Sequence, residues 1–79
     1  MKRAVALRYG DADEAPVVVS SGEGDLALRI ERSARDYGVP VVLDVPLADA
    51  LGELRTGEPI PEALFEAVAA VLRELADGA

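Results

Sequence analysis

Pro16-Val17-Val18-Val19-Ser20, running through Ser21–Gly24 into Asp25-Leu26-Ala27-Leu28-Arg29-Ile30, is where this chain changes its period. Three successive β-branched valines suit a pleated surface better than a helix. Pro16 stands at the first position of that strand, where a missing N–H costs little. From Asp25 to about Tyr37 the spacing becomes helical. At about 100° per residue, Leu26, Ile30, Ser33, Ala34 and Tyr37 share one side, and Arg29, Arg32 and Arg35 the opposite one. A strand that gives way to an amphipathic helix places the chain in the mixed classes.

Towards the N-terminus, Ala4–Tyr9 reads as another strand and Gly10–Ala15, with Asp11, Asp13 and Glu14, as a polar turn. A connection this short suits an antiparallel hairpin. If Ala4–Tyr9 is an edge, its free N–H and C=O groups are open to a strand from a partner. Towards the C-terminus, Gly38 and Pro40 stop the helix, because Gly tolerates the left-handed cap and Pro cannot continue. Val39–Leu43 is wholly apolar and reads as a strand buried on both faces, parallel to its predecessor through a right-handed crossover. Pro46 opens a short helix carrying Leu47, Ala50, Leu51 and Leu54, which Gly57 ends. Pro61 begins a last helix reaching about Ala76.

That last helix carries two apolar stripes: Leu64, Val68, Val71 and Leu75, and, further round the wheel, Phe65, Ala69, Leu72 and Ala76. One must face the sheet. The other is either packed under the short helix or partly exposed. The expected class is α/β (α+β): one domain over residues 1–79, with a small mixed sheet of about three strands covered by about three helices, in the order β-β-α-β-α-α.

Composition narrows the function. The 79 residues hold 51% hydrophobic side chains and only 4% aromatic ones, so a core of Val, Leu, Ile and Ala is within reach. A chain of this size buries about 60–65% of its unfolded surface, for a net stability of a few kcal/mol. With no Cys, disulfides, thiolate metal sites and cysteine nucleophiles are excluded. With no His, the usual base near neutral pH and the commonest metal ligand are missing. Fifteen Asp and Glu against eight Lys and Arg give a net charge of −7, which repels phosphate backbones and argues against nucleic acid. No apolar run reaches the roughly 18–20 residues of a membrane span. A cytoplasmic domain is the expectation.

Few residues carry candidate chemistry. Asp11-Ala12-Asp13-Glu14 opens like a cation loop but lacks the later ligands, and reads as a solvated turn. Ser20-Ser21-Gly22-Glu23-Gly24 superficially suits phosphate capture, yet position 27 is Ala, no Lys follows, and Glu23 and Asp25 repel an anion. A Ser20 or Ser21 nucleophile finds no base. The Arg29, Arg32 and Arg35 stripe reads as a solvated face with local acidic partners. Neither catalytic residues, a metal site nor a cofactor is expected.

Several segments taken in order resemble one family: Ala4–Tyr9; Ala15–Val19 with Gly22; Gly38-Val39-Pro40-Val41; Pro46-Leu47-Ala48 with Ala50-Leu51; Gly57 with Ile60-Pro61; and Ala67-Val68-Ala69 with Val71-Leu72. From about residue 4 to residue 75 the chain resembles the C-terminal cytoplasmic domain of the flagellar and type III secretion export-switch proteins, the FlhB/YscU type. The resemblance implies a non-enzymatic, protein-binding module that helps choose which class of substrate is exported. It also implies an apolar substrate-receiving patch, which maps onto Ala15, Pro16, Ala69 and Leu72.

Family members carry an N-terminal membrane domain and cleave themselves between the Asn and Pro of an Asn-Pro-Thr-His motif just before the first strand. Here Met1 and Lys2 occupy the places of Thr and His, and there is no Asn to cyclise. Loss of self-cleavage is therefore expected. The implied partners are export substrates or the cytoplasmic part of an export gate, met by a monomer. The alternative is an orphan regulatory or structural domain that keeps the fold without a secretion role.

Overall fold

The computed structural model describes residues 2–77. Strand β1 (Arg3–Arg8) pairs antiparallel with β2 (Val17–Glu23). Helices α1 (Asp25–Asp36), α2 (Val45–Leu51) and α3 (Phe65–Asp77) follow, the last preceded by a 3-10 turn at Glu62–Leu64. The mixed class and the three helices agree with the sequence reading.

β2 runs further than expected. Ser21–Glu23 is strand, not loop, because β1 continues opposite it in the register Val5↔Ser21, Ala4↔Gly22 and Arg3↔Glu23, beyond the Ala6↔Ser20 pair. A register shift between Ala6 and Leu7 brings Leu7 opposite Val18 and leaves Val19 unpaired and exposed. Gly22 also makes room for a helix, since a Cβ there would lie 2.6 Å from Leu26 Cδ2.

The two faces of the sheet are covered by different helices. Ala4 and Gly22 lie on the side of Leu26 and α1, where Ala27 is fully buried. Val5 and Leu7, on the other face, pack against the cluster of Leu51, Ile60 and Val68, supported by Leu47, Leu54 and Leu64. Lys2 reaches α1 at Glu31 (3.0 Å), whereas Arg3 reaches α2 through the Asp49 carbonyl (3.0 Å). Alternation along the strand thus hands successive residues to opposite layers.

Two helix boundaries fall where the residues dictate. The Gly38 N–H bonds to the Arg35 carbonyl and the Val39 N–H to the Ala34 carbonyl, with Gly38 at φ 72°, a Schellman cap. Asp44 caps α2 by accepting the Leu47 N–H at 3.1 Å, ahead of Pro46 in the first turn. The short helix itself closes at Leu51, and the chain turns on to Gly57 outside it.

The third strand does not form: Val39–Leu43 has no regular secondary structure, Val39 is 54% and Leu43 85% exposed, and there is no parallel pair among the described residues. The physical reason lies at the outer edge of β2. That edge is taken by Gly57–Ile60, through Val18 N–H to Glu58 O (3.0 Å), Gly57 N–H to Val18 O (2.6 Å) and Ile60 N–H to Pro16 O (2.9 Å). Val39–Leu43 is instead held at its two ends by the α1 and α2 caps, as a link between helices on opposite faces.

Candidate functional site

The hairpin turn is clamped by one carboxylate. Asp13 Oδ2 accepts the Gly10 N–H at 2.9 Å, and Arg8 reaches both Asp13 oxygens at 3.3 Å. The Gly10 hydrogen bond first, and the Arg8 guanidinium second, hold the Asp13 carboxyl below its ordinary range. The acidic run therefore works as turn chemistry, its key oxygens consumed by Gly10 and Arg8. It delivers Ala15 and Pro16 to the start of β2, where Pro16 is buried and bonded to Ile60.

The two stripes of α3 divide the labour. Leu64, Val68, Val71 and Leu75 turn inwards, with Val68 only 2% exposed. Phe65, Ala69, Leu72 and Ala76 lie further out, and Leu72 remains 39% exposed. The second stripe is thus partly exposed, and α2 does not cover it.

Where that stripe passes the hairpin turn, the surface dips into a recess of about 170 Å³. Ala15 and Pro16 form one wall and Ala69 and Leu72 the other, so the four residues that the family resemblance implies meet at one place. Ile60 and Val68 make the floor, Tyr9 and Phe65 stand at the rim, and Glu14 is the charged residue of the lining. The volume is of the order of a cavity that accepts one benzene ring, about 150 Å³. The lining is almost wholly carbon, with Glu14 and Tyr9 as its polar side chains.

Sequence reasoning missed Tyr9, Glu14 and Ile60. Tyr9 carries a signal, as an aromatic directly after a strand. Ile60 sits in a Gly-Glu-Pro-Ile stretch whose pairing with β2 uses main-chain groups only, so no side-chain pattern announces it.

The remaining candidates lie outside the recess. Ser20 and Ser21 are half-buried in β2. On α1, Arg35 pairs with Glu31 at 3.7 Å, and Glu31 also holds Lys2. No helix among the described residues is long and apolar enough to cross a membrane.

Residues 1–75 match the model of the FlhB HrpN YscU SpaS family. The chain is 39% identical over 72 residues to the uncharacterized protein YlqH of Bacillus subtilis, covering 90% of this chain and 77% of that one. It is likewise 39% identical over 74 residues to the flagellar biosynthetic protein FlhB of Helicobacter pylori, covering 92% of this chain but 21% of the relative. The crystal structure of a mutated EscU/SpaS C-terminal domain superposes with a TM-score of 0.89 at 35% identity, over 95% of both chains.

Proposed function

Because this chain belongs to the FlhB HrpN YscU SpaS family, we propose that it acts as a non-enzymatic, cytoplasmic binding module of a flagellar or type III export system. Its likeness is to the C-terminal domains of EscU and PscU. It spans about a fifth of the length of the FlhB relative, so the activity of the whole relative is not carried over with the domain.

The observation that carries the reading is the convergence of Ala15, Pro16, Ala69 and Leu72 on one apolar recess. The recess receives an export substrate, or the cytoplasmic part of an export gate, by taking in a single apolar side chain. Two carbon walls and a buried floor reward burial of an apolar group at about 25 cal/mol per Å². A site this small gives weak, exchangeable binding, which suits a module that must release what it inspects. Without Asn among its 79 residues the domain has no group of its own for Asn-Pro self-cleavage.

An amide chemical-shift titration of the labelled domain tests this. The ligands are hook- or rod-type export substrates and the cytoplasmic domain of the export gate. Shifts clustering on Ala15, Ala69 and Leu72, and lost in Leu72→Asp, support the reading. No shifts at millimolar partner refute it and leave a domain that keeps the fold without a secretion role.

A further inference from the structure

The few aromatic residues of this chain are gathered at one place. It has two Tyr and one Phe, and Tyr9 and Phe65 both line the recess between the hairpin turn and α3. Tyr9 is 58% and Phe65 41% exposed, so the fold itself closes off neither ring. An aromatic face attracts a cation through its quadrupole. The same lining contains the carboxylate of Glu14 and no Lys or Arg.

That carboxylate is left over by the turn. Its neighbour Asp13 takes the cation of the hairpin, Arg8, at 3.3 Å, and the Gly10 N–H at 2.9 Å. No second Lys or Arg stands between Tyr9 and Pro16. Glu14 is exposed and makes no ion pair among the described residues. The net charge of −7 acts in the same direction over a longer range, favouring the approach of a cation and opposing that of an anion.

We propose that the recess receives an apolar residue with Lys or Arg directly beside it in the partner's sequence, and that Glu14 is the residue that selects it. This rests on the reading of the recess as a binding site and adds the partner's charge to it. The apolar side chain lies between the Ala15–Pro16 wall and the Ala69–Leu72 wall. Consecutive residues are about 3.8 Å apart, so a flexible cationic side chain on the next residue comes within reach of Glu14, which itself adjoins Ala15. Its methylenes extend the apolar contact while its charged head stays in water. A partner with Asp or Glu in that place is rejected, because Glu14 meets it like on like.

The test titrates the labelled full chain with three probe peptides: acetyl-Gly-Lys-Leu-Lys-Gly-amide, and its counterparts with Gln or with Glu at both Lys positions. Amide shifts at Ala15, Ala69 and Leu72 reach their midpoint at about two- to fivefold lower concentration for the Lys peptide than for the Gln peptide, the range of a solvent-exposed charge pair. The Glu peptide binds weakest. Glu14→Gln, at an exposed side chain, brings the Lys and Gln peptides together, and Glu14→Lys reverses the order. Asp36→Asn removes the same unit of charge from the end of α1, on the other face of the sheet, and keeps the preference. Equal midpoints for the Lys and Gln peptides, with both shifting Ala69 and Leu72, overturn this inference and leave the recess as a binding site. A preference that survives Glu14→Gln, or that falls equally in Asp36→Asn, overturns it too, as an effect of overall charge. Shifts absent from Ala69 and Leu72 with all three peptides overturn the reading of the recess and this inference with it.

Discussion

The Pro16 carbonyl accepts the Ile60 N–H at 2.9 Å, and the two residues lie together in the wall and floor of the apolar recess. The recess is therefore built on a main-chain bond between segments more than forty residues apart in sequence. Its shape depends on that seam as much as on the helix above it.

Replacing Ile60 by Ala removes a side chain that is 3% exposed, and leaves a void beneath Ala15 and Val68. The expected loss is about 2–4 kcal/mol, read from the urea midpoint at unchanged slope. In a domain with a net stability of a few kcal/mol this approaches the threshold of unfolding.

Leu72→Asp behaves differently. The side chain is already part-exposed, so urea stability changes by less than about 1 kcal/mol. Partner-induced shifts at Ala15 and Ala69 disappear all the same, because a carboxylate in the wall must be desolvated on binding. Loss of stability matching that of Ile60→Ala would show that Leu72 serves the core and not a binding face.

Acid should loosen the hairpin turn by a predictable route. The folded-state pKa of Asp13 is depressed, so the carboxylate contributes stability that is fully present above its unfolded value, about 3.9, and is lost as pH falls through the folded value. Asp13→Asn removes that part of the acid dependence and keeps the rest. Comparing urea midpoints of the two proteins between neutral pH and pH values below that range checks it. Identical acid profiles would dismiss the clamp.

Gly38→Ala is expected to cost about 1–2 kcal/mol. Position 38 has open space around it, so the loss comes from forcing a Cβ into the left-handed region and not from a clash. Thermal unfolding with unchanged far-ultraviolet dichroism at low temperature distinguishes a strained cap from a broken helix. Asp44→Ala, at the other end of the same link, costs about 1 kcal/mol by orphaning the Leu47 N–H.

Several local signals in the sequence carry through to the structure, although the short helix closes at Leu51 and not at Gly57, and Tyr37 stays 84% exposed on the side of α1 expected to be apolar. Gly38 stops α1, Pro46 opens α2, Pro16 starts β2, and the two stripes of α3 separate into an inner and an outer face. The four recess residues were placed by family resemblance, with periodicity supplying only Ala69 and Leu72. What escaped was long-range. Val39–Leu43 has the composition of a buried strand, yet whether it pairs depends on who holds the edge of β2, and Gly57–Ile60 holds it with backbone alone. Ser21–Glu23 reads as a loop because serine and glycine favour turns, but β1 opposite keeps it extended. Side-chain patterns report which faces are apolar; they do not report competition for a hydrogen-bonding edge.

The exposed link between the caps of α1 and α2 has a consequence for how the polypeptide can be divided. An exposed stretch of irregular backbone ending at Leu43 is the kind of segment a protease reaches. A single nick there yields two fragments, the sheet with α1 and the remaining helices with Gly57–Ile60. The Val18–Glu58 and Pro16–Ile60 bonds and the cluster of Leu51, Ile60 and Val68 against Val5 and Leu7 span the cut. The domain can thus be severed without being dismantled, and its two halves can find one another again as separate molecules.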